Sequence, residues 1–161
     1  MKETTTIPVE ILDYDASHSR DFSELNYEWL NEFFEVEAHD AEMLDDPKTH
    51  IIEPGGKIFI AQVNGGSVGT VALIADGDGV FELAKMAVTK KFRGLGIGKK
   101  LMERAIWYCK EKKVKKVFLE SNSKLTPALT LYEQFGFEHK SNCKDTPYNR
   151  CDVYMELDLS K

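Results

Sequence analysis

The spacing of hydrophobic residues divides the first half of the chain into a strand, a helix and a hairpin. Residues 7–14 have the pattern of a strand, and the aromatic and leucine side chains of residues 22–34 fall on one helical face. Residues 58–63 and 68–74 flank an asparagine-glycine turn at 64–66. This arrangement predicts an antiparallel hairpin after the helix.

The second half alternates between strands and helices. Residues 81–88 form a predicted strand, helical spacing continues from 97 to 113, and residues 116–120 form the next strand. A second helical segment contains Tyr132, and residues 151–157 alternate as a last strand. Three or four antiparallel strands followed by strand-helix-strand-helix-strand are typical of an α/β fold.

Three glycines alternate with other residues between the strand at 81–88 and the helix that follows it. We call this segment, Arg93-Gly94-Leu95-Gly96-Ile97-Gly98-Lys99, the glycine loop. Glycine lacks a Cβ, so its backbone can adopt positive φ and approach a ligand closely. The first N–H groups of the helix point outward at the positive end of its dipole. We therefore predict that the glycine loop binds an anion such as pyrophosphate.

Two familiar phosphate-binding motifs do not fit this spacing. A dinucleotide-binding fingerprint requires glycine or alanine three positions after Gly96, where the chain has Lys99. A P-loop requires serine or threonine after its Gly-Lys pair, but Lys100 follows Gly98-Lys99.

The remaining spacing resembles the acyl-CoA loop of the GNAT acetyltransferase superfamily, Gln/Arg-x-x-Gly-x-Gly/Ala, with Arg93, Gly96 and Gly98 at the defining positions. Residues 128–137, Ala-Leu-Thr-Leu-Tyr-Glu-Gln-Phe-Gly-Phe, resemble the second signature of that superfamily, Ala-x-x-Leu-Tyr-x-x-x-Gly-Phe. Many members carry asparagine three residues before this alanine, where the chain has Leu125. The resemblance covers roughly residues 57–140, by the extent of these signatures and the strands between them.

This resemblance implies a single GNAT domain over residues 1–161, with a mixed central sheet of about six to seven strands flanked by about four helices. It also implies acetyl-CoA as co-substrate, with no metal. The backbone of 86–88 would splay from the next strand and bind pantetheine, the glycine loop would bind pyrophosphate, and nearby polar groups would replace the missing asparagine. The implied cofactor-binding residues are Met86, Ala87, Val88, Arg93, Gly94, Leu95, Gly96, Ile97, Gly98, Lys99, Asn122, Ser123 and Tyr132.

Acyl transfer to an amine needs a base for the amine and an acid for the departing thiolate. Glu82 is the candidate base, since glutamate at the corresponding strand position serves this role in some members of the superfamily. The alternative is a solvent-facing strand residue paired with Lys85 or a neighbour. Tyr132 is the candidate acid, since a phenol can protonate the sulfur. The alternative is a core tyrosine of an amphipathic helix.

Together these features predict an N-acyltransferase that moves an acetyl group from acetyl-CoA to a primary amine by direct attack in a ternary complex. The acceptor would be a small molecule or a peptide. The alternative function is a non-catalytic acyl-CoA-binding or sensor domain, in which the glycine loop persists but Glu82 and Tyr132 handle no protons.

Charge is unevenly distributed along the chain and bears on its partners. Residues 1–50 carry a net charge of −11, and residues 51–161 carry +5. If the acidic part forms the acceptor wall, through Glu28, Glu32, Glu35 and Glu37, cationic amines are favoured over anionic ones. The alternative is that these acids only keep the protein soluble. The overall charge of −6 disfavours nucleic acid as a partner, and a homodimer stays possible.

Other sequence features predict a cytoplasmic enzyme without a metal or a disulfide. The four histidines show no metal-ligand spacing, and no segment approaches the roughly 20 apolar residues of a membrane span. The N-terminus lacks the apolar core of a signal peptide. An odd cysteine count, Cys109, Cys143 and Cys151, favours reduced thiols, with Cys109 packed in a helix.

Overall fold

The computed structural model describes residues 8–141, 143 and 146–160. Within these residues a seven-stranded mixed sheet is flanked by four α-helices, which confirms the predicted α/β class. The strands are β1 (Glu10–Asp13), β2 (Lys57–Val63), β3 (Gly66–Ala75), β4 (Val80–Val88), β5 (Lys116–Ser121), β6 (Glu138–Lys140) and β7 (Val153–Asp158). The α-helices are α1 (Ser19–Phe33), α2 (Ala38–Asp45), α3 (Ile97–Glu111) and α4 (Thr126–Gln134).

The strands lie in the order β1-β2-β3-β4-β5-β7-β6. Strands β1 to β4 pair antiparallel, β4 and β5 pair parallel, and β7 pairs antiparallel with both β5 and β6. The hairpin of β2 and β3 is confirmed, and its turn has φ of 51° at Asn64 and 79° at Gly65. Two successive positive φ values are those of the type I′ turn, whose twist matches that of the strands.

Helices cover both faces of the sheet, because successive residues of a strand point to opposite sides. In β2, Phe59 and Ala61 belong to the core beneath α3, while Ile58 and Ile60 belong to the core beneath α1 and α2. The four side chains are fully buried. The result is a three-layer arrangement in which the glycine loop begins the helix of one layer and α1 covers the other face.

Element boundaries differ from the predictions where local pattern is weak. Strand β1 begins at Glu10, and Ile7 lies outside the described residues. Helix α3 ends at Glu111, because Lys113 has a left-handed φ of 56° and breaks the helical path. The sequence pattern predicts neither helix α2 nor the three-residue strand β6, since each is too short to display a clear hydrophobic period.

The structure corrects the prediction that all three cysteines are reduced. Cys143 and Cys151 form a disulfide whose Cα atoms lie 6.1 Å apart. An odd count excludes only a framework that pairs every cysteine, so one pair can still form. Cys109 is a free thiol fully buried in α3, as predicted, and burial raises its pKa to about 12.

The search for membrane-spanning helices covers the described residues only. Each of the helices there is too short or too polar to cross a bilayer.

Candidate active site

Strands β4 and β5 separate halfway along their length, and the site lies where they part. Their parallel register runs from Val80↔Lys116 to Glu82↔Phe118 and stops there. Strand β4 continues to Val88 and β5 to Ser121 without further pairing between them. The backbone groups of residues 86–88 that face β5 therefore have no partner in that strand and are available to a ligand.

A groove of about 600 Å³ extends from this opening between the glycine loop and α4. Most of the predicted cofactor-binding residues line it: Met86, Ala87, Val88, Arg93, Gly94, Gly96, Ile97, Gly98, Lys99 and Tyr132. Three of them, Leu95, Asn122 and Ser123, do not line the groove. Leu95 instead exposes 48% of its surface at the tip of the glycine loop.

The glycine loop has the backbone geometry of an anion cradle. Gly94 and Gly96 have φ of 78° and 82°, and a Cβ built on either would meet no atom within 4 Å. Gly96 precedes α3, whose first helical bond runs from the Lys100 N–H to the Gly96 carbonyl at 3.1 Å. The N–H groups of residues 97–99 therefore have no partner within the helix and point toward the groove end.

The Arg93 side chain fastens the glycine loop to α1. Its Nε donates to the Val88 carbonyl at 2.8 Å, and its NH1 donates to both carboxylate oxygens of Glu32 at 2.9 and 3.0 Å. Glu28 accepts hydrogen bonds from the Thr89 hydroxyl at 2.8 Å and the Lys90 N–H at 3.0 Å. The groove thus has a wall whose position is set by ion pairs and charge-assisted hydrogen bonds.

Asn122 and Ser123 are engaged in holding the turn between β5 and α4. The Asn122 amide donates to the Arg150 carbonyl at 2.7 Å, and the Ser123 hydroxyl donates to Asp152 at 2.9 Å. Asp152 also accepts from the Ser123 N–H at 2.7 Å. These bonds direct both side chains toward the segment before β7, away from the groove.

Tyr132 lies on α4 against the groove, half-buried and 6.1 Å from the Phe137 ring between centroids. Burial raises the pKa of its hydroxyl to about 12. The hydroxyl therefore stays protonated at neutral pH, which is the form that can donate a proton.

A second, smaller cavity adjoins the groove on the side of α1. It encloses about 90 Å³, and Trp29 and Met86 line both spaces. Its apolar wall is formed by Leu30, Phe34 and Leu125. Its polar wall is formed by Asn26, Asp40, Glu82, Lys85, Glu120, Ser121, Asn122, Tyr148 and Arg150. We call this space the acceptor cavity.

Glu82 faces the acceptor cavity and does not pair with Lys85 as the alternative interpretation requires. Burial, together with the neighbouring Glu120 carboxylate, raises its pKa from 4.5 to about 7, against the opposite effect of Lys85. No hydrogen bond or ion pair engages the Glu82 carboxylate within the part of the chain that the structure describes. The carboxylate is thus available to a molecule in the cavity, with a proton affinity suited to exchange near neutral pH.

The sequence did not reveal the other charged and polar residues of the cavity. Asp40, Glu120, Tyr148 and Arg150 come from α2, β5 and the segment before β7 and have no shared motif. Lys85 has a φ of 55°, which marks a bulge in β4 opposite Val71. A non-glycine residue with left-handed φ often accompanies a functional site, but sequence alone does not reveal it.

The four acidic residues expected to form the acceptor wall, Glu28 and Glu32 on α1 and Glu35 and Glu37 after it, do not line the acceptor cavity. Glu28 and Glu32 bind the glycine-loop region, and Glu37 accepts from Arg150 at 3.2 Å. None of these three, nor Glu35, lines the acceptor cavity. The carboxylates that do line it are Asp40 on α2, Glu82 on β4 and Glu120 on β5.

Within residues 8–141, 143 and 146–160, the structure contains no group of three or more His, Cys, Asp or Glu residues that could hold a metal ion.

Comparison with protein families identifies the relationships of this chain. Residues 23–137 match the model of the acetyltransferase (GNAT) family. The chain is 32% identical over 108 residues to N-acetylaspartate synthetase of Rattus norvegicus, which covers 66% of this chain. The chain spans only 36% of the length of that relative.

Solved structures of low sequence identity share the fold. An acetyltransferase of the GNAT family from Staphylococcus aureus superposes with a TM-score of 0.84 at 24% identity, covering 94% of this chain and 99% of its own. The PaiA N-acetyltransferase of Thermoplasma acidophilum, in complex with coenzyme A, superposes with a TM-score of 0.72 at 15% identity, covering 94% and 99%.

Valine at Gly96 should weaken the binding of acetyl-CoA while the protein stays folded. The added branch would occupy the space that a pyrophosphate needs at the loop, and the loss of one charge-assisted hydrogen bond raises Kd by about 10- to 100-fold. Calorimetric titration with acetyl-CoA measures the effect. Gly98→Val is a second variant, free of a positive φ, whose Cβ lies 3.7 Å from Leu131.

Gly77→Val is the matched control for Gly96→Val. Gly77 has φ of 91°, open space around its Cβ and a position in the turn before β4, outside the groove. Gly77→Val should lose about 1–3 kcal/mol of folding stability through the same backbone strain, but its Kd for acetyl-CoA should be unchanged. Equal affinity of folded Gly96→Val and Gly77→Val would contradict the assignment of the loop.

Glu82→Gln should make the protein more stable at high pH. Because the pKa of Glu82 is raised from 4.5 to about 7 in the folded state, the folded protein binds the proton more tightly than the unfolded chain. Wild-type stability should therefore fall as pH rises from about 4.5 to 7, by up to about 3 kcal/mol.

Urea unfolding at pH 5 and pH 8 measures this effect. The stability gained by Glu82→Gln should grow between the two values, whereas Glu111→Gln, at the exposed end of α3, should show no such growth. A pH-independent difference for Glu82→Gln would mean that Glu82 is not desolvated.

Proposed function

The chain belongs to the GNAT acetyltransferase family, and on this premise we propose that it transfers an acetyl group from acetyl-CoA to a primary amine. The amine attacks the thioester directly while both substrates are bound. Acetyl-CoA-dependent acylation of an amine is the general kind of reaction of this family. The acceptor is a small molecule or a peptide.

Acetyl-CoA binds along the groove, with its pyrophosphate on the glycine loop and its pantetheine beside residues 86–88. The free N–H groups at the start of α3 and the end of β4, which does not pair with β5, support this orientation. The Thermoplasma acidophilum neighbour, which has the same fold, was solved in complex with coenzyme A.

The observation that carries the proposal is the junction of groove and acceptor cavity at Trp29 and Met86. A donor in the groove and an acceptor in the cavity can meet only there. Glu82 belongs to the cavity side and Tyr132 to the groove side. The two proton-handling groups therefore flank the place of reaction, one toward each substrate.

Glu82 acts as the general base and Tyr132 as the general acid. The amine nitrogen forms a bond to the thioester carbon, and its proton passes to the Glu82 carboxylate, directly or through water. The carbon–sulfur bond then breaks, and the thiolate of coenzyme A takes the proton of the Tyr132 hydroxyl. The products are the acetylated amine and free coenzyme A.

Release of free coenzyme A in the presence of amines tests the proposed function against a binding-only domain. A thiol reagent measures turnover with a panel that includes alkylamines, a lysine peptide and L-aspartate. L-Aspartate belongs to the panel because one relative is named for N-acetylaspartate. Binding of acetyl-CoA without amine-dependent turnover would favour the sensor function.

Tyr132→Phe should lower kcat by about 10²- to 10⁴-fold, the usual contribution of general acid catalysis. The change removes one hydroxyl and leaves the packing against Phe137 in place. The Kd for acetyl-CoA should stay within about twofold, because only a transition-state interaction is lost.

Tyr108→Phe supplies the matched control for Tyr132→Phe, because Tyr108 packs on Phe59 and Phe81 outside both the groove and the acceptor cavity. It should keep wild-type kcat. A Tyr132→Phe protein with wild-type kcat across pH would make Tyr132 a packing residue.

Glu82→Gln should abolish the part of the rate that depends on a base with a pKa of about 7. The wild-type kcat/KM should rise through this pH as Glu82 ionises. The variant should be about 10²- to 10⁴-fold slower at neutral pH and should recover as pH approaches the amine pKa near 10.4, where the acceptor loses its own proton. A pH–rate profile of each protein measures the difference.

The Glu111→Gln control, outside the groove and the acceptor cavity, should keep the wild-type pH–rate profile. If Glu82→Gln is slow at all pH values and never recovers, Glu82 positions the acceptor and does not accept its proton.

A further inference from the structure

A buried ion-pair cluster closes one end of the acceptor cavity. Asp40 is fully buried on α2. It accepts hydrogen bonds from Lys85 Nζ at 2.8 Å, from two nitrogens of Arg150 at 2.7 and 2.9 Å, and from the Glu37 N–H at 2.9 Å. Although burial opposes ionisation, the donors Arg150 and Lys85 lower the pKa of Asp40 to about 2. The carboxylate is therefore ionised and fully engaged.

Both cations of the cavity, Lys85 and Arg150, are already paired with Asp40 in this cluster. The Lys85 side chain is only 6% exposed, and its Nζ also donates a hydrogen bond to the Tyr148 hydroxyl at 2.7 Å. Arg150 is shared between Asp40 and Glu37, which accepts from it at 3.2 Å. Two positive charges thus face two negative ones, so the cluster presents almost no net charge to the cavity.

The carboxylates of Glu82 and Glu120 are left without a cation of their own. Within the described residues, Glu120 accepts from the Thr146 hydroxyl at 2.7 Å, a neutral donor, and Glu82 is engaged by no hydrogen bond or ion pair. Both line the cavity. The charge left uncompensated in the cavity is therefore negative, and a buried negative charge favours a cationic occupant and disfavours an anionic one.

The size and walls of the cavity limit what that occupant can be. A cavity of 150 Å³ holds benzene, so the 90 Å³ here corresponds to about four non-hydrogen atoms by proportion. The apolar walls from Trp29, Leu30, Phe34 and Leu125 suit methylene groups. The enclosed part of the acceptor is thus a short alkyl chain ending in an ammonium group.

We propose that Asp40 is a specificity-determining residue that neutralises Lys85 and Arg150, so that the acceptor is an unbranched primary alkylamine without a carboxylate. This inference rests on the proposed acetyl transfer and adds the acceptor class. An acid-bearing amine is rejected because the two cations that would bind its carboxylate are already occupied by Asp40, while Glu82 and Glu120 repel it.

Two acceptors of equal chain length test the proposal. Acetylation of 1-aminobutane and of 4-aminobutanoate is measured by release of coenzyme A, with 1,4-diaminobutane and L-aspartate as further members of each class. The wild-type kcat/KM should be about tenfold or more higher for 1-aminobutane than for 4-aminobutanoate, from charge repulsion at an effective dielectric constant near 20. Equal or better use of 4-aminobutanoate or L-aspartate would overturn the proposal and leave acetyl transfer intact.

Two substitutions should reduce this selectivity ratio by about tenfold. Asp40→Asn leaves Lys85 and Arg150 with uncompensated charge, which should attract a carboxylate. Glu120→Gln removes one negative charge and keeps an oxygen for the Thr146 hydroxyl. The ratio compares two acceptors on the same protein, so a change in the folded or active fraction does not alter it.

Glu42→Gln controls for the loss of one negative charge on α2, because Glu42 is exposed and does not line the cavity. It should keep the wild-type ratio. Circular dichroism verifies folding, and Glu120→Gln decides the question if Asp40→Asn does not fold. An unchanged ratio in folded Glu120→Gln would overturn the proposal. Binding of acetyl-CoA with no turnover of any of the four amines would overturn the proposed function itself.

Discussion

The parallel pairing of β4 and β5 ends after three residue pairs, at Glu82↔Phe118, and the rest of the site depends on this limit. Beyond it both strands continue, but their facing backbone groups no longer satisfy each other. Unpaired backbone in a protein interior requires other partners, so the gap is a place for a ligand that can supply hydrogen bonds. The groove lies on one side of this gap and the acceptor cavity on the other. Glu82 is the last residue of β4 that pairs with β5, and this position puts its carboxylate at the edge of the opening.

Strand β4 also contains a bulge at Lys85, next to the opening. Residues 85 and 86 together oppose Val71, and Lys85 adopts a φ of 55° that a lysine seldom takes. Such backbone costs free energy, of order 1–3 kcal/mol, and persists here with the Lys85 ammonium bound between Asp40 and Tyr148. The resulting cluster joins α2, β4 and the segment before β7. A buried charge cluster of this kind contributes more to defining the shape and charge of the cavity than to stability, because the desolvation of its ions offsets much of their attraction.

The acidic character of the first fifty residues has a structural use that net charge does not reveal. Glu28 and Glu32 fix the entry to the glycine loop, Glu37 and Asp40 fix Arg150, and Asp21 accepts from the Ser67 hydroxyl of β3 at 2.7 Å. These carboxylates attach α1 and α2 to the basic remainder of the chain. The helices that cover the acceptor cavity are thereby linked to the loop proposed to bind acetyl-CoA. Within the described residues, the cavity carboxylates that lack an ion-pair partner, Glu82 and Glu120, lie on β4 and β5 instead.

The sequence by itself determined the α/β fold, the hairpin at Asn64-Gly65 and the glycine loop at the start of α3. These features follow from side-chain period and from glycine conformation, and both act over a few neighbouring residues. It also placed Glu82 and Tyr132 as candidates, through motifs that lie within single elements. Only the tertiary structure decided that Arg93 binds Glu32, that Asn122 and Ser123 serve the neighbouring turn, and that Cys143 and Cys151 join. It alone brought Asp40 to Arg150, 110 positions away. Such pairings depend on strand order and on which helix covers which face, and no local pattern of residues encodes the partner.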